Sequence, residues 1–164
     1  MYKRQGLIGL SIVNEDSDIA RDRILAAVEN STPEISSTLL KRFVLDATDT
    51  TRVSTTFRFA RGSSKLDNKA RRDLARVLRY IENTQPERII LAGFADARGN
   101  FANNLALSES RAESVLEQLQ SVDESGKLQN LDIEIRGFGE LGPVACNESV
   151  AGRATNRRVE IWVE

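Results

Sequence analysis

Near its carboxyl end the chain reads Val159-Glu160-Ile161-Trp162-Val163-Glu164, in which aliphatic residues alternate with Glu, Trp and Glu. A period of two places the aliphatic side chains on one face of a β-strand and the others on the opposite face. Residues 53–59 and 133–136 alternate in a similar way. Strands covered by helices on both faces would be apolar throughout, so the alternation predicts a sheet with helices on one face only.

Two helical patterns and one continuous apolar run complete this prediction. Residues 66–81 carry apolar side chains at helical spacing behind a candidate cap, Asp67, and residues 112–119 carry a second such stripe. Residues 88–92 are a short apolar run, which predicts a central strand. The order βαβαββ predicts an α+β fold, a two-layer sandwich in which both helices cover one face of a four-stranded mixed sheet.

The amino-terminal part of the chain differs from the rest. Residues 1–50 contain one short apolar run and two short helical patterns, too little to build an independent core. We expect this segment to pack on the main domain, residues 51–164, or to act as a linker from an upstream domain. The apolar run that follows Lys3 leads directly into Asn14-Glu15-Asp16 without a small-residue cleavage pattern, so no export signal is predicted.

The composition excludes several classes of function. Lys and Arg total 23 against 24 Asp and Glu, a net charge of −1, so nucleic-acid binding is not predicted. The chain has no histidine, which removes histidine-dependent triads and histidine-ligated zinc, and it has no phosphate-binding glycine loop. We therefore predict no metal and no cofactor, and no apolar run is long enough for a membrane span. The single cysteine, Cys146, is interpreted as a small buried or half-buried residue.

The loop after the predicted central strand carries the most distinctive chemistry. It reads Gly93-Phe94-Ala95-Asp96-Ala97-Arg98-Gly99-Asn100 and leads into a helix that contains Arg111. An acid at the end of a strand and an arginine early in the next helix face each other across such a loop. Spacing alone favours a structural ion pair. The alternative is a ligand with both an ammonium, which Asp96 would accept, and a carboxylate, onto which Arg111 would fork.

This loop and three later motifs carry a family resemblance. The motifs are Leu107-Ser108-Glu109-Ser110-Arg111-Ala112, Gly137-Phe138-Gly139-Glu140 with Pro143, and Gly152-Arg153-Ala154 with Asn156-Arg157-Arg158-Val159-Glu160. Together, and in this order, they resemble the OmpA C-terminal-like domain. That family has an α+β fold with helices on one face of a mixed sheet, in agreement with the strand alternation.

The resemblance implies non-covalent binding of peptidoglycan through the meso-diaminopimelate of its stem peptide. Asp96 and Arg111 match the ligand-binding acid and arginine of the family, and Asn104 matches its loop asparagine. The free end of diaminopimelate is an amino-acid zwitterion, which suits the charges of this pair. The implied location is the periplasm, in association with the cell envelope.

Three further positions are implied less directly. Arg157 lies near the site in the family, and a structural role at the start of the last strand is about as plausible. Phe94 stands where many members have histidine or tyrosine, so it would contact the stem peptide by stacking rather than by a hydrogen bond. Ala95 stands where many members have threonine.

Two alternatives to wall anchoring remain open. A wall-degrading enzyme would need two differently tuned carboxylates, for which only Asp96 and Glu109 qualify, and Glu109 also suits the first turn of a helix. We expect no enzymatic activity. The other alternative is an interaction or structural domain with an altered or blocked ligand site. Residues 1–50 resemble the end of a bacterial substrate-binding protein, as in a fusion to a solute-binding domain.

Overall fold

The structure, a computed structural model, describes residues 50–164 and, before them, only Ile19, Asp22, Arg23 and Ala26, which are helical. The elements from residue 50 onward are β1 (Thr51–Arg58), α1 (Asn68–Thr84), β2 (Arg88–Gly93), α2 (Phe101–Val122), a short 3-10 helix (Lys127–Asn130), β3 (Asp132–Gly137), α3 (Val150–Asn156) and β4 (Arg158–Val163). The predicted α+β class is confirmed.

The four strands form one mixed sheet in the order β1-β4-β2-β3. Strand β4 runs antiparallel to both β1 and β2, whereas β2 and β3 are parallel. Strands β1, β2 and β3 therefore all end at the same edge of the sheet, and β4 begins there. The loops that follow the three parallel strands meet at this edge and form the candidate site.

Helices α1 and α2 pack on one face of the sheet, as the apolar stripes predict. Asp67 caps α1, since its side chain accepts a hydrogen bond from the backbone N–H of Ala70 at 2.9 Å. Each large aliphatic or aromatic side chain buried here contributes about 1.5–3 kcal/mol of transfer free energy. The fully or almost fully buried residues of this core include Val53, Phe57, Leu74, Val77, Ile89, Leu91, Val115, Leu119, Val159 and Ile161.

The opposite face of β4 differs from the prediction, because its polar residue is not solvated. Glu160 and Trp162 both have an exposed fraction of 0%. The carboxylate of Glu160 accepts a hydrogen bond from Nε of Arg158 at 2.7 Å. It also lies 3.3 Å from a terminal nitrogen of Arg52 and 2.9 Å from one of Arg23. We refer to these four charged residues, Glu160 with Arg23, Arg52 and Arg158, as the Glu160 cluster.

The arginines keep Glu160 ionised despite its burial. Burial alone would raise the pKa of this carboxyl, but the charges of Arg158, Arg52 and Arg23, with the hydrogen bond from Arg158, hold the pKa below its ordinary value. Removing one partner of a buried ion pair leaves the remaining charge uncompensated, at a typical cost of about 3–5 kcal/mol.

Two local features also depart from the sequence-based expectations. Helix α3 was not predicted; it begins after Ser149, whose hydroxyl accepts a hydrogen bond from the N–H of Gly152 at 2.9 Å. Cys146 is exposed, so the interpretation of a buried or half-buried thiol is wrong. It lies in the loop before α3. Across the residues that the structure describes, no helix is both long and apolar enough to cross a membrane.

We predict that Glu160→Gln lowers the free energy of unfolding by about 3–5 kcal/mol, because the amide leaves the surrounding arginines without their anion. The measurement is urea unfolding at neutral pH. Glu134→Gln is the matched control: Glu134 is partly exposed and pairs with Arg136, so its loss should cost less than about 1 kcal/mol. Equal unfolding midpoints for Glu160→Gln and the parent would contradict a stabilising role for the cluster.

The same measurement against pH tests the ionisation of Glu160. A carboxyl whose pKa is lower in the folded state stabilises the fold above its ordinary pKa, 4.5, and loses that contribution as the pH falls through the folded value. We expect the parent to lose stability below about pH 4.5 more steeply than Glu160→Gln. Parallel curves would show that Glu160 does not carry this dependence.

Candidate functional site

A cavity of about 180 Å³ opens at the edge where the parallel strands end. A larger groove lies between β1 and the start of α1, but its charged residues are exposed or half-buried. We assign the candidate site to the smaller cavity because buried charged groups line it. Its lining residues are Arg61, Gly62, Ala95, Asp96, Arg98, Gly99, Asn104, Leu107, Arg111 and Arg157.

Helix α2 brings two of the predicted residues to the cavity. It begins after Asn100, whose side-chain oxygen accepts a hydrogen bond from the N–H of Asn103 at 2.8 Å. Asn104 and Arg111 lie seven residues apart, on one face of the helix. The helix approaches the sheet closely at Gly93, where an added Cβ would lie only 1.9 Å from the carbonyl oxygen of Ser108. A glycine at this point therefore allows the helix to hold Arg111 against the strand ends.

Arg111 is buried, with an exposed fraction of 1%, and it binds three backbone carbonyl groups. Its Nε donates to the oxygen of Ser63 and its Nη1 to that of Phe94, each at 3.0 Å. Its Nη2 donates to the oxygen of Ala60 at 3.3 Å. A guanidinium has five N–H groups, so two remain beyond these three bonds. Arg111 thus ties the loop after β1 to the loop after β2.

Asp96 pairs directly with Arg157 rather than with Arg111, which corrects the ion pair suggested by spacing. Its Oδ2 accepts a hydrogen bond from Nη1 of Arg157 at 2.8 Å. Its Oδ1 accepts from the backbone N–H of Arg98 at 3.1 Å. Arg157 lies between α3 and β4, and its Nε donates to the carbonyl oxygen of Phe59 at 3.0 Å. Spacing along the chain could not reveal this pair, because its members lie 61 residues apart.

The charges of the site perturb the pKa values of both predicted residues. Burial alone would raise the pKa of Asp96, but hydrogen bonds from Arg157 and the Arg98 backbone, together with the charges of Arg157 and Arg111, hold it below its ordinary value. Burial, followed by repulsion from Arg157, lowers the pKa of Arg111 to about 10, against the attraction of Asp96. At neutral pH Asp96 is therefore a carboxylate and Arg111 a guanidinium cation.

Asn104 and Ala95, for which the sequence predicts ligand binding, both line the cavity. Asn104 is buried, and its side-chain amide donates a hydrogen bond to the carboxylate of Glu140. The backbone N–H of Ala95 donates to the carbonyl oxygen of Gly139 at 2.6 Å. Both contacts join the Asp96 loop and α2 to the loop after β3, so this third loop supports the site.

Phe94 does not line the cavity, in disagreement with the expectation that its ring stacks on the stem peptide. The backbone N–H of Phe94 donates to the carbonyl oxygen of Arg158 at 2.8 Å, which continues the pairing of β2 with β4. Phe94 has an exposed fraction of 1%. Its ring stacks on that of Phe138 with centroids 5.3 Å apart, and its centroid lies 3.8 Å from the guanidinium carbon of Arg158. The next residue, Ala95, lines the cavity instead. Phe94 contributes its carbonyl group, which binds Arg111.

Asn156 supports the site in a way that the sequence did not indicate. It has an exposed fraction of 0%, and its Oδ1 accepts from the backbone N–H groups of Val144 and Ala145 at 2.9 and 3.0 Å. Its Nδ2 donates to Oδ1 of Asn147 at 2.8 Å. The same oxygen of Asn147 accepts from the N–H of Ala97 at 3.3 Å. Asn156 therefore fixes the loop before α3, which in turn contacts the Asp96 loop.

Glu109, the acid considered as a catalytic partner of Asp96, is exposed and is not among the residues that line the cavity. We had expected Glu109 in the first turn of a helix. Helix α2 begins at Phe101, so Glu109 lies in the interior of the helix instead. Across the described part of the chain, no group of three or more His, Cys, Asp or Glu residues is arranged to hold a metal ion.

Comparison with known proteins places this geometry among related domains. Residues 58–157 match the model of the OmpA family. The chain is 35% identical over 105 residues to the outer-membrane lipoprotein YfiB of Pseudomonas aeruginosa, a match that covers 64% of this chain and 60% of YfiB. It is 34% identical over 90 residues to the peptidoglycan-binding protein ArfA of Mycobacterium tuberculosis, which covers 55% of this chain and 26% of ArfA.

The fold is also similar to a solved structure, the crystal structure of the peptidoglycan-associated lipoprotein of Burkholderia pseudomallei. The TM-score is 0.58 and the sequence identity 25%, with coverage of 66% of this chain and 89% of that one. Against the two curated relatives, the match spans less than two thirds of their own length.

We predict that Arg111→Ala lowers the free energy of unfolding by about 3 kcal/mol or more, because each buried carbonyl left without a donor costs about 1–3 kcal/mol. Arg98→Ala is the matched control, since Arg98 is an exposed arginine of the same cavity, and its loss should change stability by less than about 0.5 kcal/mol. Urea unfolding of the two variants and the parent provides the measurement. If the two variants unfold at the same urea concentration, Arg111 does not hold the loops together.

Proposed function

The chain belongs to the OmpA family, and on that premise we propose that its cavity binds peptidoglycan non-covalently through the diaminopimelate of the stem peptide. The domain would thereby anchor a cell-envelope protein to the wall. The observation that carries this proposal is the presence of a buried carboxylate, Asp96, and a buried guanidinium, Arg111, in one open cavity. Buried charges without a direct mutual bond suit a ligand that carries both opposite charges.

The proposed complex follows from the hydrogen-bonding capacity that each side chain retains. Asp96 uses one acceptor position on each oxygen, and a carboxylate has about four, so it can accept an ammonium group as well. Arg111 retains two N–H groups for the carboxylate of the same zwitterion. Charge-assisted hydrogen bonds of this kind contribute about 1.5–3 kcal/mol each. Such a site has modest affinity alone, and repeated stem peptides along the wall supply avidity.

The size of the cavity agrees with a ligand that inserts only one end. Ligand pockets for whole drug-sized molecules usually measure about 300–1,000 Å³, and this cavity measures about 180 Å³. In the proposed complex the zwitterionic end of diaminopimelate enters and the rest of the stem peptide stays outside. Asn104, whose side-chain oxygen is an acceptor, and Ala95 contact the inserted end, and Arg157 holds Asp96 in place.

The proposed location is the periplasm, in association with the cell envelope. The names of the relatives support it: YfiB is an outer-membrane lipoprotein, ArfA a peptidoglycan-binding protein, and the structural neighbour a peptidoglycan-associated lipoprotein. The chain covers 60% of YfiB, so we assign a wall-binding role to this domain and none to the whole protein. We propose a binding role without catalysis, and a fused upstream domain remains a proposal.

One observation favours the alternative of an interaction domain with an altered site. Both oxygens of Asp96 and three donors of Arg111 already have partners within the protein. A site satisfied in this way can serve the fold alone. Binding to isolated peptidoglycan distinguishes the anchor from the interaction domain, because only the anchor needs the charge of Asp96 to bind a ligand.

We predict that Asp96→Asn weakens co-sedimentation with diaminopimelate-type peptidoglycan at least about tenfold, since the amide preserves the shape of the side chain but removes its charge. The matched control is Asp132→Asn, at an exposed acid at the beginning of β3, the end of the sheet opposite the cavity. Its binding should equal that of the parent. Thermal unfolding of both variants establishes that they are folded.

Two results would contradict the anchor. Unchanged co-sedimentation of Asp96→Asn would show that the charge of Asp96 is not used for the wall, and would favour the altered-site alternative. Absence of co-sedimentation by the folded parent would reject wall binding by this domain altogether.

A further inference from the structure

The residues around the cavity carry more positive than negative charge. A zwitterion has no net charge and therefore does not neutralise this excess. Four of the lining residues are arginines, Arg61, Arg98, Arg111 and Arg157, and one is an acid, Asp96. Glu140 lies one contact further out, bound to Asn104. Counting both acids, the described residues around the cavity have an excess of two positive charges (4 − 2 = 2).

Two of these four arginines, Arg111 and Arg157, hold parts of the fold together, and the other two do not. Arg111 and Arg157 donate hydrogen bonds to backbone carbonyls and, for Arg157, to Asp96. The side chains of Arg61 and Arg98 are exposed, and within the described residues neither forms an ion pair. Arg61 follows β1 and Arg98 follows β2, so they reach the rim from two different loops.

Helix α2 adds to this positive field. Its amino terminus begins at Phe101, directly after the Asp96 loop, and the first turn of a helix carries a partial positive charge. Like charges held together in a partly enclosed space repel one another unless an anion enters. A ligand whose carboxylates outnumber its ammonium groups relieves this repulsion, whereas a zwitterion with equal charges does not.

Resting on the proposed function, we infer that Arg61 and Arg98 make the site selective for stem peptides that end at diaminopimelate with both carboxylates free. In such a tripeptide the zwitterionic end enters the cavity and the second, main-chain carboxylate faces the two rim arginines. In a longer stem this carboxylate is consumed in the peptide bond to the next residue, and when this carboxyl group is itself amidated it is neutral. The selectivity is electrostatic and comes from the exposed Arg61 and Arg98 at the rim of the cavity rather than from the buried Asp96 and Arg111 at its base.

A matched pair of soluble ligands tests this inference by isothermal titration calorimetry at low salt. The first ligand is L-Ala-γ-D-Glu-meso-diaminopimelate, and the second is the same tripeptide with its main-chain terminal carboxyl amidated. Both carry the same zwitterionic end. We expect the parent to bind the free acid about fivefold more tightly, because exposed ion pairs contribute modestly. The preference should shrink at high salt, where exposed charges are screened.

The double variant Arg61→Gln with Arg98→Gln should bind both ligands with equal affinity. The control double variant is Arg72→Gln with Arg79→Gln, which removes the same charge from exposed positions on α1. It should retain the fivefold preference, which excludes a general effect of net charge.

The outcomes separate the inference from the proposed function. Equal binding of the two ligands by the parent, or an unchanged preference in the rim double variant, overturns the role of the rim arginines and leaves wall binding in place. Loss of the preference in the α1 double variant also overturns it, because the effect is then one of net charge. Binding of neither ligand by the folded parent overturns both the proposed function and the inference.

Discussion

The guanidinium of Arg111 is the group on which the shape of the cavity depends. It donates hydrogen bonds to the carbonyl oxygens of Ala60, Ser63 and Phe94, and so joins two loops that follow different strands. A buried cation carries a desolvation cost that such bonds offset only in part, which agrees with the lowered pKa of Arg111. The nearby carboxylate of Asp96 attracts this cation and so opposes part of the effect of burial on its pKa. The same carboxylate is the one that we propose binds the ammonium of the ligand.

The second face of the sheet is linked to this site through Arg158. Its guanidinium binds Glu160 and lies over the ring of Phe94, while the carbonyl of Phe94 accepts a hydrogen bond from Arg111. The Glu160 cluster and the cavity therefore share one chain of contacts across the sheet. Arg23, from the amino-terminal segment, donates a hydrogen bond to Glu160 at 2.9 Å. The expectation that residues 1–50 pack on the main domain or act as a linker falls mostly outside the described residues and stays a prediction.

Sequence periodicity predicted the elements correctly where side-chain burial follows a regular repeat. The cap at Asp67 and the apolar stripe of α1 are examples, because both depend on neighbours within a few residues. It failed for Glu160, since alternation of polar and apolar residues cannot distinguish a solvated acid from one buried among the arginines of the Glu160 cluster. The short helix α3 has too few residues to show a periodic stripe.

The candidate site was predictable in composition but not in connectivity. Asp96 and Arg111 could be selected from one loop and the following helix, whereas the actual partner of Asp96 is Arg157, 61 residues away. Arg61 follows another strand, and nothing in its own sequence neighbourhood connects it with the cavity.

The most direct test of the proposed binding mode is a crystal structure of the protein with meso-diaminopimelate. We expect its ammonium at about 3 Å from the carboxylate of Asp96 and its adjacent carboxylate at the same distance from Arg111. Ligand bound elsewhere, or a cavity that stays empty at saturating ligand, would contradict this binding mode.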